Sequence, residues 1–241
     1  MCAQRDDGNA RCRRDAVARP DKRRDRTAQT PGASRAVPQR LQGPVADRAG
    51  AALERVRDRW QLSGASDHHV SEALYLTDPE DNGVEIYRDR PRAEWPRADD
   101  GTVRIGTVPL DLTDLASRSD GAAAVPPDTT VGHVHLEVSS IDAARAFYVD
   151  ALGLRVQTAA RGALFVAAGD YHHHLALNVW NGRSEPLGGR GLAWVELVVP
   201  DEATLGTVRR RLEDADVAAR EWDCGLEIRD PDGIPIRLRA A

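Results

Sequence analysis

Val131-Gly132-His133-Val134-His135-Leu136-Glu137-Val138 decides how this chain folds, because apolar Val134, Leu136 and Val138 alternate with His133, His135 and Glu137. Successive side chains of a strand point to opposite faces, so one face is buried and the other gathers two imidazoles and a carboxylate. Those three either line a cup or satisfy one another on a half-solvated sheet. An amphipathic helix follows at 141–152, with Ala144, Phe147, Tyr148 and Ala151 on one side and Gly153 where a C-cap belongs. Leu164 to Ala167 and His173 to Trp180 then read as strands.

Toward the carboxyl terminus, Val199 to Leu212, Leu226-Glu227-Ile228-Arg229-Asp230-Pro231-Asp232-Gly233 and Ile236-Arg237-Leu238 replay the element order of residues 45–86. In that earlier stretch Ala52, Leu53, Val56 and Trp60 recur at helical spacing, giving a helix over about 47–60. Ala73-Leu74-Tyr75-Leu76 and Val84-Glu85-Ile86-Tyr87 are strands joined by the turn Asp78-Pro79-Glu80-Asp81-Asn82-Gly83. Repetition on this scale implies duplicated supersecondary units that bury their faces against one another.

Residues 88–128 hold five prolines and little apolar pattern, and are expected to form a linker, bounded as 91–129. Residues 1–40 contain no Leu, Ile, Phe, Tyr or Trp, and carry ten Arg and one Lys against five Asp. A segment of that composition cannot offset its ordering entropy by burial, so a disordered tail over 1–44 is expected.

The whole chain has 241 residues, a hydrophobic fraction of 41% and a net charge of −5. The acidic balance argues against nucleic acid or an anionic membrane as partner and favours small-molecule chemistry. Cys2, Cys12 and Cys224 make no C-x-x-C pair, which argues against a disulfide framework or a thiolate zinc site. With no export signal or long apolar run, a cytoplasmic protein is expected.

Taken together, the 131–138 strand, the helix motif Arg145-Ala146-Phe147-Tyr148-Val149-Asp150-Ala151-Leu152-Gly153-Leu154 and the two Asp-Pro turns resemble the vicinal-oxygen-chelate superfamily of glyoxalases, bleomycin-resistance proteins and extradiol dioxygenases. The stretch from His68 to Glu85 is similar to the signature of catechol 2,3-dioxygenase-like two-domain proteins, departing at Asp81, where Gly or Pro is usual. The resemblance implies an α+β fold of paired βαβββ modules. It implies one complete domain at 130–241 and a partial module at 45–90 that lacks its opening strand, the first module being missing.

The resemblance also implies Fe(II) or Mn(II) held by two His and one carboxylate, with a small aromatic diol as substrate. Glu85 falls at the family's carboxylate, His133 at a ligand His, and His68, Tyr75 and His173 at catalytic positions. In the carboxyl-terminal domain the two remaining ligand positions fall on Trp194 and Arg237, which cannot bind iron. A variant site of His133, His174 and Glu196 would restore the donor set inside that domain. The alternatives are a metal-free binder of planar aromatics or antibiotics, with Trp180, Trp194 and Trp222 as core or as ligand platform, and an inactive truncated relative. A half domain leaves strand edges uncovered, so a homo-oligomer is also expected.

Overall fold

The computed structural model describes residues 37–40, 45–186, 192–223 and 225–241, with side chains from residue 48 onward. The expected tail at 1–36 and 41–44 lies outside the described residues.

The described residues form three βαβββ modules. The first comprises β1 (Val37–Arg40), α1 (Val45–Arg59), β2 (Gly64–Asp67), β3 (Ser71–Thr77) and β4 (Gly83–Asp89). A short β5 (Val108–Pro109) and α2 (Leu112–Ser117) follow it. The second comprises β6 (Val134–Glu137), α3 (Ile141–Arg145) continued by a π-helical segment Ala146–Ala151, then β7 (Arg155–Ala160), β8 (Ala163–Ala167) and β9 (Leu175–Asn178). The third comprises β10 (Val195–Val199), α4 (Glu202–Asp214), β11 (Ala219–Trp222), β12 (Gly225–Arg229) and β13 (Pro235–Ala240).

Each sheet follows one rule: the opening strand pairs in parallel with the last, and the others run antiparallel in sequence. The orders are β1-β4-β3-β2-β5, β6-β9-β8-β7 and β10-β13-β12-β11. The α+β class of vicinal-oxygen-chelate modules is therefore the observed architecture.

Two expectations are corrected. The first module has its opening strand: β1 pairs with β4 from Val37↔Val84 to Arg40↔Tyr87. Composition hid it because ladder hydrogen bonds are made by the backbone, and an edge strand accepts polar residues and a proline such as Pro38. The segment 91–129 is not a bare tether. Trp95 and Val103 are buried with Val70, Ala167 and Tyr171, joining the first module to the second, and Leu115 packs with Ala49 and Leu53. There α2 lies so close to α1 that a Cβ on Gly50 would meet the Leu115 carbonyl oxygen at 2.5 Å.

The largest core joins the second and third modules. Leu136, Phe147, Leu164 and Leu177 pack with Leu205, Leu212, Ile228 and Leu238. Within it the Tyr148 hydroxyl donates to Asp230 at 2.8 Å, tying the helix of one module to the turn of the other. The two Asp-Pro turns are built alike. The Asp78 carboxylate accepts from the amides of Glu80 and Asn82, and that of Asp230 from Asp232 and Ile234. The equivalent third residues after these Asp, Asp81 and Gly233, both have left-handed backbone, with φ of 62° and 79°.

Of these two turn residues, Asp81 carries a Cβ into that strained region and Gly233 does not. Asp81→Gly is therefore expected to raise the free energy of unfolding by about 0.5–1 kcal/mol, read as a higher urea midpoint at unchanged slope.

Candidate functional site

Alternation along β4 sends Ile86 toward the helix side, where it packs with Leu74, and turns Glu85, Tyr87 and Asp89 to the opposite face. Along β6 the same rule presents His133, His135 and Glu137. The two faces meet, since β1 lies beside β6 and His133 Nε2 stands 3.0 Å from Glu85 Oε2. His135 Nε2 is 3.7 Å from the same oxygen. Glu85 and His133 are each only 2% exposed.

Around this pair the rings pack tightly. His133 stacks on His135 with centroids 5.0 Å apart and on Tyr87 at 4.3 Å. His173 stands 4.2 Å from His133 by centroid, with its Nε2 3.4 Å from His135 Nε2. Among the described residues, the buried Nδ1 of His133 has no hydrogen-bond partner.

Glu85 Oε1 accepts from the Tyr75 hydroxyl at 3.2 Å, as cross-strand register Tyr75↔Glu85 requires. Tyr75 in turn lies 2.5 Å from His68 Nε2. His68 Nδ1 faces the Gly106 carbonyl at 2.7 Å, and because a carbonyl only accepts, Nδ1 carries a proton. Residue 106 is glycine, and a Cβ there would sit 2.2 Å from the imidazole of the neighbouring His69. Tyr75 has one hydroxyl proton to divide between His68 and Glu85.

Burial would raise the Glu85 carboxyl, but His133 beside it, with His135 and His68, outweighs that and holds it at about 2. Burial, then the field of His133, lowers His135 to about 4. Burial also pushes His173 well below the ordinary imidazole value and lowers His172 despite its bond to Asp89. Tyr75 is pushed up by burial and by the Glu85 charge, so it keeps its proton.

The fold thus brings His68, Tyr75, Glu85, His133 and His173 together. It does not bring His174 or Glu196 to His133. In the segment that leads into β9, His173 faces His133 while His174 Nδ1 accepts from the Ala168 amide at 3.2 Å. Glu196 pairs with Arg239 at 3.2 Å. The polar faces that meet belong to the first and second modules; the second and third meet through apolar side chains. In the third module Arg237 lies over the rings of Trp194 and Trp222, 4.6 and 4.5 Å from their centroids, while Trp180 is 60% exposed.

Among the described residues, two groups place ligand-type atoms within 4.8 Å of one another: Glu85, His133 and His135, and His133, His172 and His173. His172 and Asp89 had no site role in the sequence reading, and His135 was read only as lining a cup or pairing with its neighbours on the sheet. Counting every second residue from Glu85 would have reached Asp89, and the same count from His133 reaches His135.

Residues 130–238 match the Glyoxalase/Bleomycin resistance protein/Dioxygenase superfamily. The catechol-2,3-dioxygenase of Bacillus subtilis (strain 168) is 39% identical over 189 residues, which cover 76% of this chain and 66% of that protein. The chain therefore spans just under two thirds of that relative's length. A crystal structure from Bacillus subtilis subsp. subtilis str. 168 shares the fold with a TM-score of 0.51 at 13% identity, covering 85% of this chain and 61% of that one. A halotolerant catechol dioxygenase aligns with a TM-score of 0.38 at 16% identity, over 86% of this chain and 67% of its own. This chain belongs to the glyoxalase, bleomycin resistance and dioxygenase superfamily. No described helix is long and apolar enough to cross a membrane.

The lowered imidazoles fix a pH dependence. Unfolded histidines bind a proton below about 6.5, whereas His135 in the fold does so only near 4. Between those values the unfolded chain binds more protons, so stability falls as pH falls. Glu85 adds a lower window: its contribution is complete above about 4.3 and is lost toward about 2. In chelator-treated protein, His135→Gln should flatten the loss between pH 6.5 and 4 by at most about 3 kcal/mol. Urea unfolding across that range measures it, and an unchanged slope would refute the assignment.

Proposed function

We propose that this chain is an extradiol dioxygenase-like enzyme that holds Fe(II) or Mn(II) and opens the ring of a small aromatic diol. The observation that carries the reading is the buried Glu85–His133 contact across two modules, with His135 3.7 Å from the same carboxylate oxygen. Two imidazoles and one carboxylate are the donor set of non-haem Fe(II) oxygenase sites. The donors present fit that set. The sequence of β1, Val37-Pro38-Gln39-Arg40, has no His, Cys, Asp or Glu, so His135 serves as the second imidazole. The identity to a catechol-2,3-dioxygenase supports the substrate class.

A bound Fe(II) or Mn(II) would supply open positions at which both oxygens of a diol and dioxygen meet. The remaining work is done by side chains. Glu85 keeps its charge, and Tyr75 orients its second oxygen by donating to Oε1. His68, fixed at Nδ1 by the Gly106 carbonyl, holds its Nε2 against the Tyr75 oxygen. His173, neutral and beside His135, takes a proton from a substrate hydroxyl.

Titration of anaerobically purified protein with Mn(II) tests the site, and absorbance of the ring-opened product from catechol tests the reaction. Glu85→Ala and His133→Ala are expected to weaken Mn(II) binding at least about 100-fold, with activity lost, while His174→Ala and Glu196→Ala leave binding unchanged. Retained affinity in Glu85→Ala would sink the site; Mn(II) or Fe(II) binding without turnover of any diol would sink the activity.

A further inference from the structure

Beyond the ligand set, a line of hydrogen bonds runs from the cup to the end of β4. Asp89 Oδ1 is 2.9 Å from His172 Nε2, His172 Nδ1 is 2.7 Å from His173 Nδ1, and His173 Nε2 faces His135 Nε2 at 3.4 Å. His172 is fully buried and His173 is 6% exposed. The direction of each bond follows from what its atoms can do. A carboxylate only accepts, so His172 Nε2 bears the proton. A neutral His172 then has a bare Nδ1, and a contact of 2.7 Å needs one proton between the nitrogens, which must sit on His173 Nδ1. A neutral His173 is left with a bare Nε2. Burial favours the neutral form of both rings.

Asp89 is itself held. The Tyr171 hydroxyl donates to its carboxylate at 3.0 and 3.2 Å, and Tyr87 approaches Tyr171 at 3.0 Å. The Tyr171 proton points at Asp89, so Tyr87 donates to Tyr171. Tyr171 also packs at a tilt against His172 with centroids 4.1 Å apart, and Trp95 does so at 5.1 Å. The ring of His172 is therefore wedged with its two nitrogens between Asp89 and His173.

We propose that Asp89 is a positioning residue: acting through His172, it fixes the tautomer of His173 so that Nε2 offers a lone pair, not a proton, to the cup. Asp89 reaches across modules to do this, since it ends β4 of the first and both histidines precede β9 of the second. Without it, His172 would be free to carry its proton on Nδ1, reverse the bond to His173 and turn a proton toward the cup. The use of that lone pair as a base toward a phenolic hydroxyl rests on the dioxygenase-like reading; the tautomer rests on the hydrogen bonds alone.

Nitrogen NMR of the full chain, labelled with ¹⁵N-histidine and treated with chelator, reads the tautomers directly, with His172→Phe and His173→Phe for assignment. The expected result is His172 protonated at Nε2 and His173 protonated at Nδ1. Asp89→Leu should lose both signatures, and Asp89→Asn, whose carbonyl oxygen still accepts, should keep them. A native His173 protonated at Nε2 overturns the proposal whether or not any variant folds, and so does an Asp89→Leu protein whose tautomers are unchanged. Tautomers as expected without diol turnover would leave this assignment standing while the dioxygenase-like reading failed.

Discussion

A buried carboxylate has to be paired, and the pairing of Glu85 with His133 is what the rest of the molecule is arranged around. Burying an isolated carboxylate is costly enough that the group would sooner take up a proton than stay charged. Here it stays charged because imidazoles from another module reach it and Tyr75 donates to its second oxygen. The two modules consequently cannot part without exposing or stranding that charge. The apolar contacts of Trp95, Val103, Ala167 and Tyr171 hold the same seam from the outside.

The second module has two partners, and the chemistry of its two faces keeps them apart. Its helix side carries Leu136, Phe147 and Leu177 into the core shared with the third module. Its other side carries His133 and His135 against the first. Alternation in one strand is enough to generate both relationships, because Val134 and Leu136 face one way while the histidines face the other. The third module's positions that would match metal ligands are occupied otherwise: Arg237 lies over Trp194 and Trp222 and bonds Glu227 at 2.9 Å. A guanidinium stacked on two indoles fills that face with a cation that no ion can join.

Much of this was legible in the sequence, for reasons that can be named. The β6 alternation, the helix at 141–151 and the twin Asp-Pro turns are local patterns, and local patterns determine element type. The superfamily followed from them. What escaped was non-local. β1 is held by backbone bonds to β4, and its sequence Val37-Pro38-Gln39-Arg40 has no alternating apolar pattern. Trp95 and Val103 are single apolar residues in a proline-rich stretch, and only tertiary contacts reveal that they are core. The choice of which modules face each other is made by packing, and treating the carboxyl-terminal half as self-sufficient led to His174 and Glu196. Glu85, His133, Tyr75 and His68 were each singled out through the family resemblance, but not as members of one cluster spanning two modules.

The electrostatics of the cluster explain why it takes this form. His133, His135, His172 and His173 are packed with ring centroids 4.2 to 5.9 Å apart wherever they touch. Several like charges cannot coexist at that spacing in a dry interior, so burial and mutual repulsion keep His135, His172 and His173 uncharged. Acidic groups lie at both ends of the run, Glu85 at one and Asp89 at the other. A string of neutral imidazoles between carboxylates offers lone pairs and negative potential together, and that combination favours a cation over an anion or a bare aromatic ring. The same two carboxylates also impose a direction on the protons between them, since each can only accept. The cup is therefore polarised by residues of the first module acting on rings of the second, which is why neither module carries the site alone.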